Sequence, residues 1–186
     1  MYYFLILIIT GFSSHLASAF TTTYSKRFGG KTGTLISFLF RNVLGIPVWA
    51  FGYYLSVKSS DVFLYNSSLL SQIFGWLIIT LGGIIIIAAL ISIQTKSAVA
   101  TEHDSLVHSG IYAIVRHPIY CGTFLEFIGV LVFYPSYTVG LAFLTGSAWI
   151  LIQARFEETD LIKRIPGYKD YMSKVPRFFP ILSQHF

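Results

Sequence analysis

The sequence predicts an all-α integral membrane protein with about five transmembrane helices and small cytosolic interfacial segments. Of its 186 residues, 54% are hydrophobic and only 11% are charged, which is far outside the composition of a soluble domain of this length. The mean hydropathy is +0.68. A helix needs roughly 20 mostly apolar residues to cross a bilayer, and several segments meet or approach that length. We therefore expect a single membrane domain over residues 1–186.

The first three predicted spans cover residues 2–20, 35–57 and 69–93. A fourth apolar region, residues 119–156, is too long for one helix. Pro135 and Ser136 divide it, because proline and serine between two apolar runs indicate a turn. The last two helices are therefore predicted to form a hairpin.

The first span could instead be a secretory leader, since residues 16–19 resemble a small-residue cleavage site. No Lys or Arg occurs in residues 1–20, so the basic region of a leader is missing. We predict a retained helix.

Basic residues are unevenly distributed between the two predicted sides of the membrane. Lys58 lies on one side and Arg41 inside the second span, whereas eleven of the thirteen Lys and Arg residues fall after spans one, three and five. By the positive-inside tendency, the N-terminus is predicted to face outward and the C-terminus the cytosol. The membrane would be the plasma membrane of a prokaryote or the endoplasmic reticulum of a eukaryote. The net charge of +5 thus reflects topology.

Several other kinds of partner are not indicated. No basic run with interleaved stacking aromatics predicts a nucleic-acid partner. Cys121 is the single cysteine and has no second Cys as a ligand partner, so no metal site is predicted. Polar side chains cluster instead in two cytosolic regions that flank the predicted hairpin, and any active site should be built from them.

These two regions carry a combination of motifs with a recognisable order and spacing. Its members are Leu106, Val107, Gly110, Tyr112, Arg116, His117, Pro118, Tyr120, Gly122, Glu157, Glu158, Leu161, Tyr168, Tyr171, Val175, Pro176, Arg177 and Pro180. The pattern resembles the isoprenylcysteine carboxyl methyltransferases and the related phospholipid methyltransferases. The resemblance covers about residues 103–182, which we predict to be the cofactor-binding part; the first three spans match only in being hydrophobic.

The resemblance implies that S-adenosylmethionine is the methyl donor. It assigns to the cofactor pocket Asp104, Ser105, Leu106, Val107, Tyr112, His117, Pro118, Ile119 and Tyr120, closed by Glu157. Carboxylates and tyrosine faces suit a cationic donor. Asp104 stands where the family commonly has a His.

The resemblance further implies carboxyl O-methylation of an isoprenylcysteine-like acceptor. A carboxylate is already ionised and needs a cationic anchor rather than a base. Arg116, with Glu157, is the predicted catalytic residue, and Arg155 is a second anchor. Gln153 stands where family members often carry an acceptor-facing Arg, and Arg155 points about 200° away from it around the helix. Structural alternatives are an ion pair of Arg155 with Glu158 and a headgroup contact of Arg116.

Two ionisable residues are predicted inside the membrane, Arg41 in span two and Glu126 in span four. Such residues usually pair or mark function. Counted along their helices, both lie about 10 Å from the cytosolic ends, so they could pair, and Glu126 could also contact substrate. Snorkelling is the alternative for Arg41.

Other functions remain open. Gly122, Glu126 and Gly129 are spaced as in the NADPH-dependent steroid reductases of membranes, although Thr123 departs from that pattern. A phospholipid N-methyltransferase and a non-catalytic membrane scaffold are further alternatives. In the methyltransferase interpretation, a lipophilic or prenylated acceptor enters sideways from the surrounding membrane lipids.

Overall fold

The structure is a computed structural model that describes residues 2–59, 62–93 and 105–180. Within these ranges the regular structure is helical, which confirms the predicted fold class. The α-helices are α1 (Tyr3–Ala17), α2 (Thr21–Phe28), α3 (Gly30–Phe38), α4 (Ile46–Lys58), α5 (Leu69–Ile93), α6 (Pro118–Phe133), α7 (Tyr137–Arg164) and α8 (Tyr168–Lys174). Two 3₁₀ turns, Ser18–Phe20 and Gly110–Ala113, and a π-helical segment, Leu39–Gly45, complete the helical elements.

In the part of the chain that the structure describes, these elements form four candidate membrane spans and one shorter apolar helix, which we count together as five spans. The first span runs through α1, a 3₁₀ turn and α2 as Tyr3–Phe28, and the second runs through α3, the π-helical segment and α4 as Gly30–Lys58. Together with α5 and α7, they are long and apolar enough to cross a membrane. α6 is a shorter apolar helix of 16 residues.

The predicted end of the first span at residue 20 and the predicted start of the second at residue 35 are wrong, because the chain between them is helical on both sides of Gly29. Gly29 alone makes the reversal, with a φ of +87° that favours glycine. The polar helix α2 is held by tertiary hydrogen bonds. Thr21 Oγ1 donates to Ser37 Oγ on α3 at 2.9 Å, and the Thr22 amide donates to Asp160 on α7 at 3.2 Å.

The predicted turn between the last two spans is confirmed. α6 ends at Phe133, and the Ser136 hydroxyl caps α7 by accepting a hydrogen bond from the Val139 amide at 3.3 Å. The loop before α5 packs on this turn, since the Leu64 amide donates to the Pro135 carbonyl at 2.8 Å.

An aromatic layer joins α1, α4, α6 and α7. Phe12 stacks on Trp149 with ring centroids 4.4 Å apart, and Tyr53 stacks on Phe127 at 4.8 Å. Trp49 contacts both Phe127 and Trp149. This layer fixes the relative positions of the helices that border the candidate site.

α5 and α6 pack in close contact through glycines. A Cβ atom added at Gly82 would lie 2.6 Å from the carbonyl oxygen of Gly122, and the reverse substitution would meet the Gly82 carbonyl at the same distance. Gly75 and Gly129 make a second close approach along the same pair. Small residues let membrane helices gain van der Waals contact in this way.

Gly82→Ala is expected to lower the stability of the protein relative to Gly83→Ala. Both changes remove a helical glycine, which by itself favours the helix by about 1 kcal/mol. At Gly83 the nearest atom to an added Cβ is Glu126 Oε1 at 3.8 Å, so that site has room. At Gly82 the helices must separate, at a cost of about 1–3 kcal/mol. Unfolding of the two variants in detergent measures the difference, and equal stabilities would contradict this packing.

Candidate active site

A cavity of about 470 Å³ is bordered by residues from all five spans and from the segment before α6. It is large enough for a cofactor or drug-sized ligand. Its wall includes His15 from the first span, Arg41 from the second, Ile86 from α5, Tyr120 from α6 and Glu157 from α7. Residues far apart in sequence thus share one cavity.

Glu157 is a carboxylate on the cavity wall. Its Oε1 accepts hydrogen bonds from the Tyr120 hydroxyl at 2.5 Å and the Gln153 amide at 3.0 Å. Arg41 Nη2 lies 3.4 Å from the same oxygen, and His117 Nδ1 lies 3.9 Å from Oε2. Its side chain is 17% exposed, so the carboxylate is held in one orientation and still reaches the cavity.

Glu158 faces the other way, into a buried ion-pair cluster. Arg116 Nε donates to its Oε1 at 3.0 Å, and Arg177 Nη2 donates to its Oε2 at 2.5 Å. The Glu158 side chain is only 4% exposed. The hydrogen bond that Arg177 donates to Glu158 raises the pKa of Arg177 above its ordinary value. Neighbouring glutamates, about 100° apart around one helix, therefore have separate surroundings.

His117 connects the two glutamates. Its Nε2 lies 3.1 Å from Glu158 Oε1, while its Nδ1 faces Glu157. The ring stacks on Tyr120 with centroids 5.4 Å apart. His117 immediately precedes α6, where Pro118 begins the helix because a proline at this position loses no helical hydrogen bond.

The segment after α8 is tied to the segment before α6. The Arg116 amide donates to the Pro176 carbonyl at 2.9 Å, and Cys121 Sγ donates to the Phe178 carbonyl at 3.1 Å. The Arg116 guanidinium also donates to the carbonyls of Met172 and Val175 at 2.7 and 2.6 Å. The two motif regions identified in the sequence are therefore one structural unit.

Buried tyrosines add a further hydrogen bond between the two motif regions. The Tyr171 hydroxyl donates to the Tyr112 carbonyl at 2.6 Å. Burial raises the pKa of Tyr171 to about 12 and also raises the pKa values of Tyr112 and Tyr168. All three border the cavity as neutral phenols that can donate hydrogen bonds.

A second carboxylate, Asp160, borders the cavity one turn beyond Glu157. It accepts a hydrogen bond from Arg164 Nε at 2.9 Å and one from the Thr22 amide. The first span is thus fastened to α7 beside the cavity.

Most predicted cofactor residues lie together on this wall. Those that border the cavity are Ser105, Leu106, Val107, Tyr112, His117, Ile119, Tyr120 and Glu157. Pro118 is buried at the start of α6 and does not border the cavity, and Asp104 lies outside the described residues. Their roles remain predictions.

The predicted acceptor residues are dispersed. Arg116 borders the cavity, but most of its donors are bound to Glu158 and to backbone carbonyls. Gln153 is fully buried behind Glu157. Arg155 is exposed on the opposite face of α7, and among the described residues Glu158 pairs with Arg116, His117 and Arg177 instead of Arg155.

The predicted contact of Arg41 with Glu126 is wrong. Arg41 pairs with Glu157, whereas Glu126 lies against Gly82 and Gly83 of α5, outside the cavity wall. Similar depth along two helices would permit a pair, but depth does not specify which face of each helix is in contact. The face of α6 that carries Glu126 is covered by α5.

The contributions of three residues to the candidate site were not predicted from the sequence. Glu158 was recognised as part of a motif, but its role as the centre of an ion-pair cluster was not. His15 and Asp160 were not singled out. Two signals in the sequence could have indicated them. One is a lone His in an apolar span, and the other is an acidic residue three positions after Glu157 on the same helix.

The part of the chain that matches a known protein family overlaps the region of the sequence motifs. Residues 70–169 match the family model described as phospholipid methyltransferase. Methanethiol S-methyltransferase 2 of Bradyrhizobium diazoefficiens is 40% identical over 75 residues, which are 39% of this chain and 27% of that protein. The nickel-cobalt-cadmium resistance protein NccN of Alcaligenes xylosoxydans xylosoxydans is 35% identical over 85 residues, which are 44% of this chain and 39% of that protein. The aligned segment thus spans less than two fifths of either relative, and no solved structure matches significantly.

Proposed function

This chain belongs to the phospholipid methyltransferase family, and from that premise we propose that it transfers a methyl group from S-adenosylmethionine to a lipophilic acceptor at the membrane. The observation that carries the proposal is the convergence of the motif residues on one cavity. Tyr112, His117, Tyr120 and Glu157 come from three separate elements and share its wall. A scaffold without a ligand would not need this arrangement.

The residues present fit the chemistry of the cofactor. Bound S-adenosylmethionine would supply an electrophilic methyl group on a positively charged sulfur. The carboxylates of Glu157 and Asp160 and the rings of Tyr112 and Tyr120 are suited to its positive charges. Arg41, on the same wall, is suited to its carboxylate.

The protein's own task in such a reaction is alignment. Methyl transfer from a sulfonium needs no covalent intermediate with the enzyme, so holding the reacting atoms in line supplies much of the rate. Glu157 is held by Tyr120, Gln153 and Arg41, and His117 is fixed between the two glutamates. These side chains are preorganised before a ligand binds.

The acceptor class has three candidates. The first is the predicted carboxylate of an isoprenylcysteine-like substrate, for which Arg41 is a further cation on the cavity wall beside the predicted anchor Arg116. The second is a thiol, which the name of the methanethiol S-methyltransferase relative favours. The third is the amine of a phospholipid.

We also propose that the C-terminus is cytosolic, which would place the Glu157 end of α7 near that side.

Binding of the cofactor is the decisive test. Calorimetry on the purified protein in detergent should show binding of S-adenosylmethionine and S-adenosylhomocysteine and no binding of NADPH. Methyl transfer is then measured with a prenylated cysteine, a long-chain thiol and phosphatidylethanolamine. Binding of NADPH alone would support the reductase alternative, and binding of neither would support the scaffold.

His117→Ala is expected to weaken binding of S-adenosylhomocysteine at least tenfold, a loss of about 1.4 kcal/mol. The change removes the ring that stacks on Tyr120 and contacts both glutamates. His108→Ala is the matched control, because His108 is exposed and does not border the cavity. Unchanged affinity in a folded His117→Ala protein would contradict the assignment of the cofactor to this wall.

A further inference from the structure

His15 is an imidazole in the first span whose polar atoms have no role in the fold. His15 is only 6% exposed, yet it borders the cavity. Among the described residues neither of its ring nitrogens has a hydrogen-bond partner, and Nδ1 is enclosed by protein. A buried polar group without a partner costs about 1–3 kcal/mol, so its retention in an apolar helix requires an explanation. Nε2 is the nitrogen left to reach a ligand.

The position of His15 is deeper in the membrane than that of Glu157. The His15 ring packs against Trp149 with centroids 4.9 Å apart. Trp149, Gln153 and Glu157 follow one another at intervals of four residues and therefore share a face of α7. At 1.5 Å per residue, Trp149 lies about 12 Å from Glu157 along the axis, toward the bilayer interior. The motif residues and His15 thus occupy different levels of one cavity.

The π-helical segment Leu39–Gly45 builds the wall next to His15. A Cβ atom at Gly45 would lie 2.9 Å from His15 Cβ, and Ser14 Oγ donates to the Phe40 carbonyl at 3.0 Å. The segment brings Arg41 and Asn42 to the cavity. Single π-helical turns inside α-helices occur frequently at functional sites. Its irregular backbone and the unpartnered imidazole meet at the same place.

The other cavity imidazole cannot serve the same purpose. Both ring nitrogens of His117 face carboxylates, at 3.1 Å from Glu158 and 3.9 Å from Glu157. His15 has no such engagement, and it lies outside residues 70–169, the part that matches the family. Of these two cavity imidazoles, His15 is therefore the one whose ring is available to an acceptor.

We propose that His15 is a catalytic residue on the acceptor side, which takes the proton from a neutral nucleophile, a thiol. This inference rests on the proposed methyl transfer. In the balanced step, the S–H proton of the acceptor moves to Nε2 of His15, and the acceptor sulfur forms a bond to the methyl carbon. The electron pair of the broken methyl–sulfur bond stays with the donor sulfur, which becomes a neutral thioether. A carboxylate acceptor would not need His15, because it carries no proton to remove.

The test compares His15→Gln and His15→Phe with the wild type. Both variants lack a group that can take the proton, and Phe keeps a ring against Trp149 in case Gln disturbs packing. With a long-chain alkanethiol, kcat/KM should fall about 100-fold or more in both variants. The dissociation constant of S-adenosylmethionine should stay within about twofold, and thermal unfolding in detergent verifies that the variants fold. His108→Gln is the matched control and should retain wild-type rates.

The pH profile separates a proton acceptor from a packing residue. The wild type should reach its maximal kcat/KM at a lower pH than the variants, whose rates should rise about tenfold per pH unit toward the ionisation of the thiol itself. Equal profiles, an equal loss with a prenylated cysteine carboxylate, or methylation of the carboxylate but no thiol by the wild type would each overturn the role of His15. Failure of the wild type to bind S-adenosylmethionine would instead overturn the proposed function.

Discussion

Glu157→Gln is expected to weaken binding of S-adenosylmethionine about 100-fold, a loss of about 2.7 kcal/mol. The substitution keeps the size of the side chain and removes its charge. The carboxylate on the cavity wall accepts hydrogen bonds from Tyr120 and Gln153 and pairs with Arg41. In the variant, the negative charge that balances a cationic ligand is lost, and Arg41 loses this partner as well. Calorimetry with purified protein in detergent measures the change.

Asp170→Asn is the matched control for this experiment, since Asp170 is an exposed carboxylate on α8. It should bind the cofactor as the wild type does. The thermal unfolding of Glu157→Gln should change little, because a residue that borders a cavity contributes more to binding than to packing. Wild-type affinity of the Glu157→Gln protein would exclude this carboxylate from the cofactor site.

The spans and their turn could be predicted from the sequence because they depend on local composition. The run of apolar residues predicts each helix, and Pro135 with Ser136 predicts the break between the last two. The extension of the first span through α2 could not be predicted in this way. Thr21, Thr22 and Ser25 have poor helix propensity, and contacts of Thr21 with α3 and of Thr22 with α7 override that preference.

The sequence could predict which residues belong to the candidate site, but it could not predict which of them pair with one another. The motifs place Tyr112, His117, Tyr120 and Glu157 in one region because their order and spacing resemble a family pattern. The partner of Arg41 depends on which helix faces α7, and no local signal specifies that. Arg116 illustrates the same limit, because a cation beside an active-site motif fits either an anionic substrate or a structural carboxylate. Its bonds to Glu158 and to the carbonyls of Met172 and Val175 favour the structural use.

Glu157 and Glu158 are neighbours in the sequence but have different roles. Because adjacent helical residues point about 100° apart, Glu157 reaches the cavity while Glu158 reaches the segment after α8. His117 contacts both, so the position of the cofactor wall is linked to the anchoring of that segment. The consequence is that charge removal at the two positions should have opposite signatures, with binding lost at Glu157 and stability lost at Glu158.

Glu158→Gln is expected to lower the unfolding free energy by about 3–5 kcal/mol, as found when one member of a buried ion pair is removed. The side chains of Glu158 and Arg116 are 4% and 9% exposed, so water cannot replace the lost carboxylate. Chemical denaturation in detergent measures the loss. Arg177→Gln should cost less, since its side chain is 31% exposed and Arg116 remains paired. The double variant Glu158→Gln with Arg177→Gln should be more stable than the sum of the two losses predicts, because the residues are in direct contact. Strict additivity, or a Glu158→Gln protein as stable as the wild type, would show that this cluster does not fasten the C-terminal segment to α6 and α7.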